Sequence, residues 1–108
     1  MLILPIKEKW FDMIKSGEKK EEYRECKKYY HIRFKKIFGW WNYKNKEVEI
    51  IFRNGYRKDS PTIKCKCKLR IGEGKTEWGA EPNKEYYILD ILEVCKWFVQ
   101  IKNKKPAT

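Results

Sequence analysis

The sequence predicts an α+β fold in which a few helices pack on a small curved sheet, antiparallel or mixed and open or closed as a barrel. Three observations carry this. Apolar residues recur at helical spacing in two stretches, both before Gly39. Two later stretches, 47–53 and 63–71, alternate apolar and polar residues at the period of a strand. The last apolar segment, Tyr86 to Val99, is long and rich in β-forming residues.

Leu2 to Leu4 reads as a short buried strand and Pro5 as the turn into a helix, because a proline at a first helical position loses nothing by lacking an N–H. Ile6, Trp10, Met13 and Ile14 form the apolar stripe of that helix, and Ser16-Gly17 ends it. The run 18–25 is polar enough for a loop, yet period-two spacing places Lys20, Glu22 and Arg24 on one face. A second helix is expected from about Lys28 to Phe38, with Tyr30, Phe34 and Ile37 in one stripe and Lys27, His31 and Lys35 in another. Val48, Ile50 and Phe52 then alternate with Glu49, Ile51 and Arg53 in a strand closed by the turn pair Asn54-Gly55. In the next strand Ile63, Cys65, Cys67, Leu69 and Ile71 face the core, and Lys64, Lys66, Lys68 and Arg70 face away. Gly72 to Pro82 is an irregular connection. Residues 1–101 are expected to form a single domain and 102–108 a frayed basic tail.

The composition narrows the partners. A chain of 108 residues with 42% hydrophobic and 16% aromatic residues has the material for one core. Its 26 Lys and Arg stand against 15 Asp and Glu, a net charge of +11 that concentrates anionic partners, nucleic acid first among them. The apolar opening Met1-Leu2-Ile3-Leu4 stops at Pro5, far short of the roughly 18 residues of a membrane helix, so no membrane association is expected. Cys26, Cys65, Cys67 and Cys95 follow no secretory leader, and Cys65 and Cys67 sit two apart in a strand rather than on a zinc knuckle. Buried reduced thiols in a cytoplasmic protein, with no metal and no cofactor, are the expectation for all four.

Several groups of residues are candidates for function. The row Lys64, Lys66, Lys68, Arg70 repeats at roughly 6.5 to 7 Å, close to the phosphate spacing of an extended nucleic-acid backbone, and makes a candidate patch. Tyr56, Trp78, Trp40 and Trp41 are aromatic residues able to stack on bases. His31, the lone histidine, aligns with Lys27 and Lys35 on a helix face where it either meets solvent or joins a phosphate-contacting ridge. The most specific segment is 14–24, in which Lys19, Glu22 and Arg24 converge just after a helix stop. There Lys19 holds an anion, Glu22 accepts from a base edge or acts as general base, and Arg24 donates a bidentate fork.

Gly17, Lys19, Glu22 and Arg24, following an opening strand and helix, match G-x-K-x-x-E-x-R, and in this the chain resembles the ASCH domain, a PUA-like family. The segments Phe52-Arg53-Asn54-Gly55-Tyr56, Glu77-Trp78-Gly79 and Tyr86-Tyr87-Ile88-Leu89 are similar to short stand-alone ASCH proteins of bacteria and phages, so the resemblance covers nearly the whole chain. It implies a small β-barrel of about five to six strands with two or three helices packed on it. It also implies a cleft beside the signature that binds RNA or a nucleotide, with Arg53, Asn54, Tyr56 and Trp78 as further ligand contacts. Some relatives are amidohydrolases of acetylated cytidine, whose signature carries Lys, then Thr three residues on, with a Glu from a later strand. Here Glu22 stands at the Thr position, and Glu77 is the candidate for the distant acid. Other relatives are reported as ribonucleases, which would make Lys19 and Glu22 catalytic and Arg24 a charge stabiliser. A protein partner is the remaining alternative.

Overall fold

The structure, a computed structural model, describes residues 1–98. The chain runs β1 (Ile3–Ile6), α1 (Glu8–Ser16), β2 (Glu21–Glu25), α2 (Lys28–Phe38), β3 (Val48–Asn54), β4 (Thr62–Glu73) and β5 (Glu85–Phe98), with single 3₁₀ turns at Tyr43–Asn45 and Thr76–Trp78. The strands form one five-stranded sheet in the order β1-β3-β4-β5-β2, curled into a half-barrel. β1 runs parallel to β3, and the other pairs are antiparallel. The expected α+β class and barrel-like curl are what the chain adopts. The tail at 102–108, the domain limit at 101 and Val99 lie outside the described residues.

The curl has a local cause. Between β4 and β5 the register slips twice: Lys64 pairs with Lys96 but Cys65 with Val94, and Lys66 pairs with Glu93 but Cys67 with Ile91. Each slip puts an extra residue on β5, and a bulge of this kind bends the strand and sharpens its twist. The concave face packs on both helices. Phe11 and Ile14 of α1 and Phe34 and Phe38 of α2 meet Ile50, Phe52, Ile63, Cys65, Cys67, Leu69, Tyr87 and Leu89 of the sheet, all of them buried. Cys65 and Cys67 are thus core residues, and burial pushes the Cys65 thiol up to about 12. A second, smaller cluster of Ala80, Tyr86 and Ile88 with Tyr23 covers the opposite face, which explains why four consecutive residues of β5, Tyr86 to Leu89, are all buried.

Four expectations need correction. Pro5 lies inside β1 rather than at the start of a helix, which begins at Glu8. The carbonyls of Leu2 and Ile6 accept hydrogen bonds from Ile51 and Gly55 on the β3 side. By alternation the groups of Pro5 point to the open edge of the sheet, where a missing N–H costs no ladder bond. Asn54-Gly55 is not a two-residue hairpin, since β4 resumes only at Thr62; Gly55, at φ +96°, turns the chain back to donate to Ile6. Ile71 is exposed, although Tyr87, paired with it on β5, is buried. Cys26 is exposed as well, at the junction of β2 and α2. His31 meets solvent but is also tied down, its Nδ1 hydrogen-bonded to the Tyr87 hydroxyl.

A close approach fixes the second cluster. A Cβ on Gly74 would come within 2.5 Å of the Tyr23 ring and 2.9 Å of the Ala80 methyl. Tyr23 cannot swing away freely, because its hydroxyl donates to Glu21 Oε1 at 2.7 Å and accepts from the Lys75 N–H at 2.9 Å. Gly74→Ala is expected to lower stability by about 1–3 kcal/mol through overpacking, read from the urea midpoint at unchanged slope.

Candidate functional site

The site begins with how the chain leaves α1. Gly17 adopts φ +89°, a left-handed turn, and donates its N–H to Ile14. Lys19 then donates its own backbone N–H to Met13 at 2.9 Å, which brings its side chain under the helix rather than into solvent. Lys19 is 1% exposed, unusual for a lysine, and its ammonium is held by hydrogen bonds and ring faces. Nζ donates to the Glu21 carbonyl and, at 2.9 Å, to Glu22 Oε1. It also lies 4.9 Å from the centre of the Tyr23 ring and 5.4 Å from that of Trp10, within range of the negative ring faces. Burial lowers the Lys19 pKa below the ordinary lysine range, and Glu22 offsets part of that shift.

Glu22 is the hub. Its Oε1 takes the Lys19 ammonium, and its Oε2 takes Arg24 through Nε at 3.2 Å and Nη2 at 2.8 Å. Arg24 continues outward: Nη2 also donates to the Pro5 carbonyl at 3.0 Å, and Nη1 to the Tyr30 hydroxyl at 3.2 Å. Since β1 and β2 are the two edges of the sheet, the Arg24 guanidinium spans the opening of the half-barrel and joins one edge to the other. The predicted convergence of Lys19, Glu22 and Arg24 is therefore present, although the three spend most of their polar atoms on one another.

Over this network lies a cleft of about 480 Å³ whose walls include Glu22, Arg24, Asn54 and Tyr56 together with Trp10, Tyr23, Tyr30 and Tyr86. The loop after β3 reaches the cleft because Gly55 is hydrogen-bonded to the end of β1. Lys19, buried beneath it, does not line it, and neither do Arg53 and Trp78. Arg53 donates to the Gly55 carbonyl at 3.4 Å, and Trp78 stacks beneath the Lys75 ammonium. Glu77 is exposed and also absent from the walls. The residue of that turn that touches the site is Gly79: at φ +105° it rests on Trp10, and a Cβ there would meet the indole at 3.1 Å.

Helical spacing marks Trp10 and Tyr30 only as members of apolar stripes. The signal that marks Trp10 is its size, since an indole at the margin of a stripe is seldom wholly covered. Its half-burial leaves a ring face for the cleft.

The row Lys64, Lys66, Lys68, Arg70 belongs to the other face of the sheet. Directly paired residues share a face. Leu69 pairs with Leu89 and Leu89 with Glu22, whereas Arg70 pairs with Ile88 and Ile88 with Tyr23. Nor does the row stand bare. Lys64 lies 3.7 Å from Glu49, Lys66 lies 3.9 Å from Glu93, and Arg70 binds Asp90 at 2.7 Å and Glu21 at 3.0 Å. Neighbouring strands supply an acid for most of the cations, so the strand carries a ladder of exchanged charge.

Among the described residues no cluster of His, Cys, Asp and Glu assembles as metal ligands, and no helix is long and apolar enough to cross a membrane. No family model, curated protein or solved structure matches the chain.

Glu22→Ala would leave Lys19 and Arg24 as buried charges without a counterion, and an expected loss of about 3–5 kcal/mol follows, measured by chemical denaturation. Lys19 itself has a signature in pH. Its proton leaves the folded chain at lower pH than the unfolded one, so its contribution makes the fold more stable as pH rises from the lowered value to the ordinary one. An NMR titration of the Lys19 Cε resonance is expected to show a midpoint below those of the surface lysines.

Proposed function

We propose that this domain binds RNA or a nucleotide, with a base held in the cleft between β1 and β2. The observation that carries the reading is the pairing of a fixed carboxylate with aromatic walls. Glu22 is held between two cations and lies beside Trp10, Tyr30 and Tyr56 in the cleft wall. A base offers a flat π-face to such rings and an amino or imino edge to a carboxylate or to the Asn54 amide. The net charge of +11 favours a polyanionic ligand. The resemblance of Gly17, Lys19, Glu22 and Arg24 to the ASCH signature supports the same reading and a PUA-like affiliation, with bacterial or phage relatives. Four free cysteines suit a reducing compartment such as the cytoplasm.

A second reading, hydrolysis of a modified nucleoside or an RNA phosphodiester, draws on one feature. The Lys19 amine has a lowered proton affinity next to a carboxylate, as general acid–base chemistry requires. Against it, Lys19 and Glu22 are satisfied by each other and by Arg24, and the exposed Glu77 is outside the cleft. Binding is therefore the conclusion preferred.

Titration of short RNA, single-stranded DNA and a panel of nucleosides, followed by tryptophan emission, tests both. Oligonucleotide affinity is expected to fall linearly with salt on logarithmic axes. Tyr56 is 84% exposed, so Tyr56→Ala leaves the core intact, and it is expected to weaken RNA binding by about tenfold or more through lost stacking. RNA affinity that ignores both salt and Tyr56 would rule out the cleft. Product formed from acetylated cytidine or RNA, and abolished by Lys19→Ala, would replace the binding reading with the hydrolytic one.

A further inference from the structure

We propose that a second cleft, continuous with the first across Arg24 and Tyr56, takes the phosphate of the ligand, so that the domain recognises a nucleotide unit rather than a free nucleoside. This rests on the reading of the first cleft as a base site.

The two clefts differ in charge. The walls of the first mix three carboxylates, Glu8, Glu22 and Glu25, with cations, which suits the neutral donor and acceptor edges of a base. The second, about 340 Å³ between β1 and α2, has Arg24, Lys27 and Arg33 in its walls and no carboxylate at all. An anion there meets three cations directly, and Glu22 and Glu25, the partners of Arg24 and Lys27, stay outside the walls. α2 itself carries no acidic residue from Lys28 to Phe38, so no carboxylate of its own reaches the site.

Arg33 is prepared for this role. Its guanidinium carbon sits over the Tyr29 ring, 3.6 Å from the centre, and Nη1 donates to the Tyr29 carbonyl at 3.2 Å. Among the described residues no carboxylate pairs with it. The stack fixes the plane of the fork while leaving Nε and Nη2 to face a planar pair of oxygens, the geometry in which arginine binds phosphate. Lys27 is held only by a loose surface pair with Glu25 at 3.4 Å, both side chains more than half exposed, and such a pair exchanges readily for a stronger anion. On Arg24 the second hydrogen of Nη1 remains beyond its bonds to Glu22, Pro5 and Tyr30. Tyr56 borders both clefts, so a base stacked on it places the attached sugar at the boundary and the phosphate beyond.

The experiment is a calorimetric titration of the full chain with the four common ribonucleosides, their 5′- and 3′-monophosphates and inorganic phosphate, repeated with Arg33→Gln and Lys27→Gln. For at least one base, the monophosphate is expected to bind about tenfold or more tighter than its nucleoside, the worth of a charge-assisted pair. That gain disappears in Arg33→Gln while nucleoside affinity stays within about twofold, which also shows the variant to be folded. Monophosphates no tighter than nucleosides, or a gain that survives both substitutions, would overturn the second site and leave the first standing. Should no nucleoside bind, the base reading fails instead, and the Arg33 Nε–H resonance under inorganic phosphate decides: a saturable shift absent from Lys27→Gln supports the anion site, and no shift removes it.

Discussion

The Glu22 carboxylate, shared between the Lys19 ammonium and the Arg24 guanidinium, is the interaction on which the rest of this domain depends. Two cations within one short segment would repel each other under a helix, and one anion between them turns that repulsion into a closed network. Burial makes the arrangement costly to assemble and most costly to break at Glu22, whose removal leaves both cations without a counterion. The network also does what the backbone does not. The sheet has two free edges, and the hydrogen bond from Arg24 to the Pro5 carbonyl joins them through a side chain. The cleft is the space left above that bridge.

The same segment shows how far a sequence can be read. Gly17, Lys19, Glu22 and Arg24 are close in the chain, so a helix stop followed by a strand is enough to predict that they converge. The alternation in 63–69 was equally legible, since a strand with one buried face enforces it residue by residue. What escaped was everything that depends on distant pairing. The acids that meet Lys64, Lys66 and Arg70 come from β2, β3 and β5, and nothing local to β4 announces them. Pro5 was misplaced for a related reason: whether a proline is tolerated in a strand depends on which side of that strand is left without a neighbour. The walls of the cleft were hidden for a third reason. Trp10 and Tyr30 serve core and cleft at once, and helical spacing reports only the first.

The charge of the chain is distributed to match. On the face of the sheet away from the cleft, cations of β4 meet acids of β3, β5 and β2, in pairs of modest strength that salt would weaken. Helix α2 has lysines and arginine with no acid among them. An excess that looks diffuse in the composition is thus cancelled over much of the sheet and left uncancelled along one helix, beside the cleft.

The placement of Pro5 bears on how these molecules behave toward one another. A half-barrel has exposed rims, and a rim with free N–H and C=O groups invites a strand from another copy. On β1 the outward-facing groups belong to Ile3 and Pro5. Proline offers no N–H, and its carbonyl is already occupied by Arg24. The β1 rim is therefore almost silent as a template for another strand, through a single imino acid and the arginine that caps it.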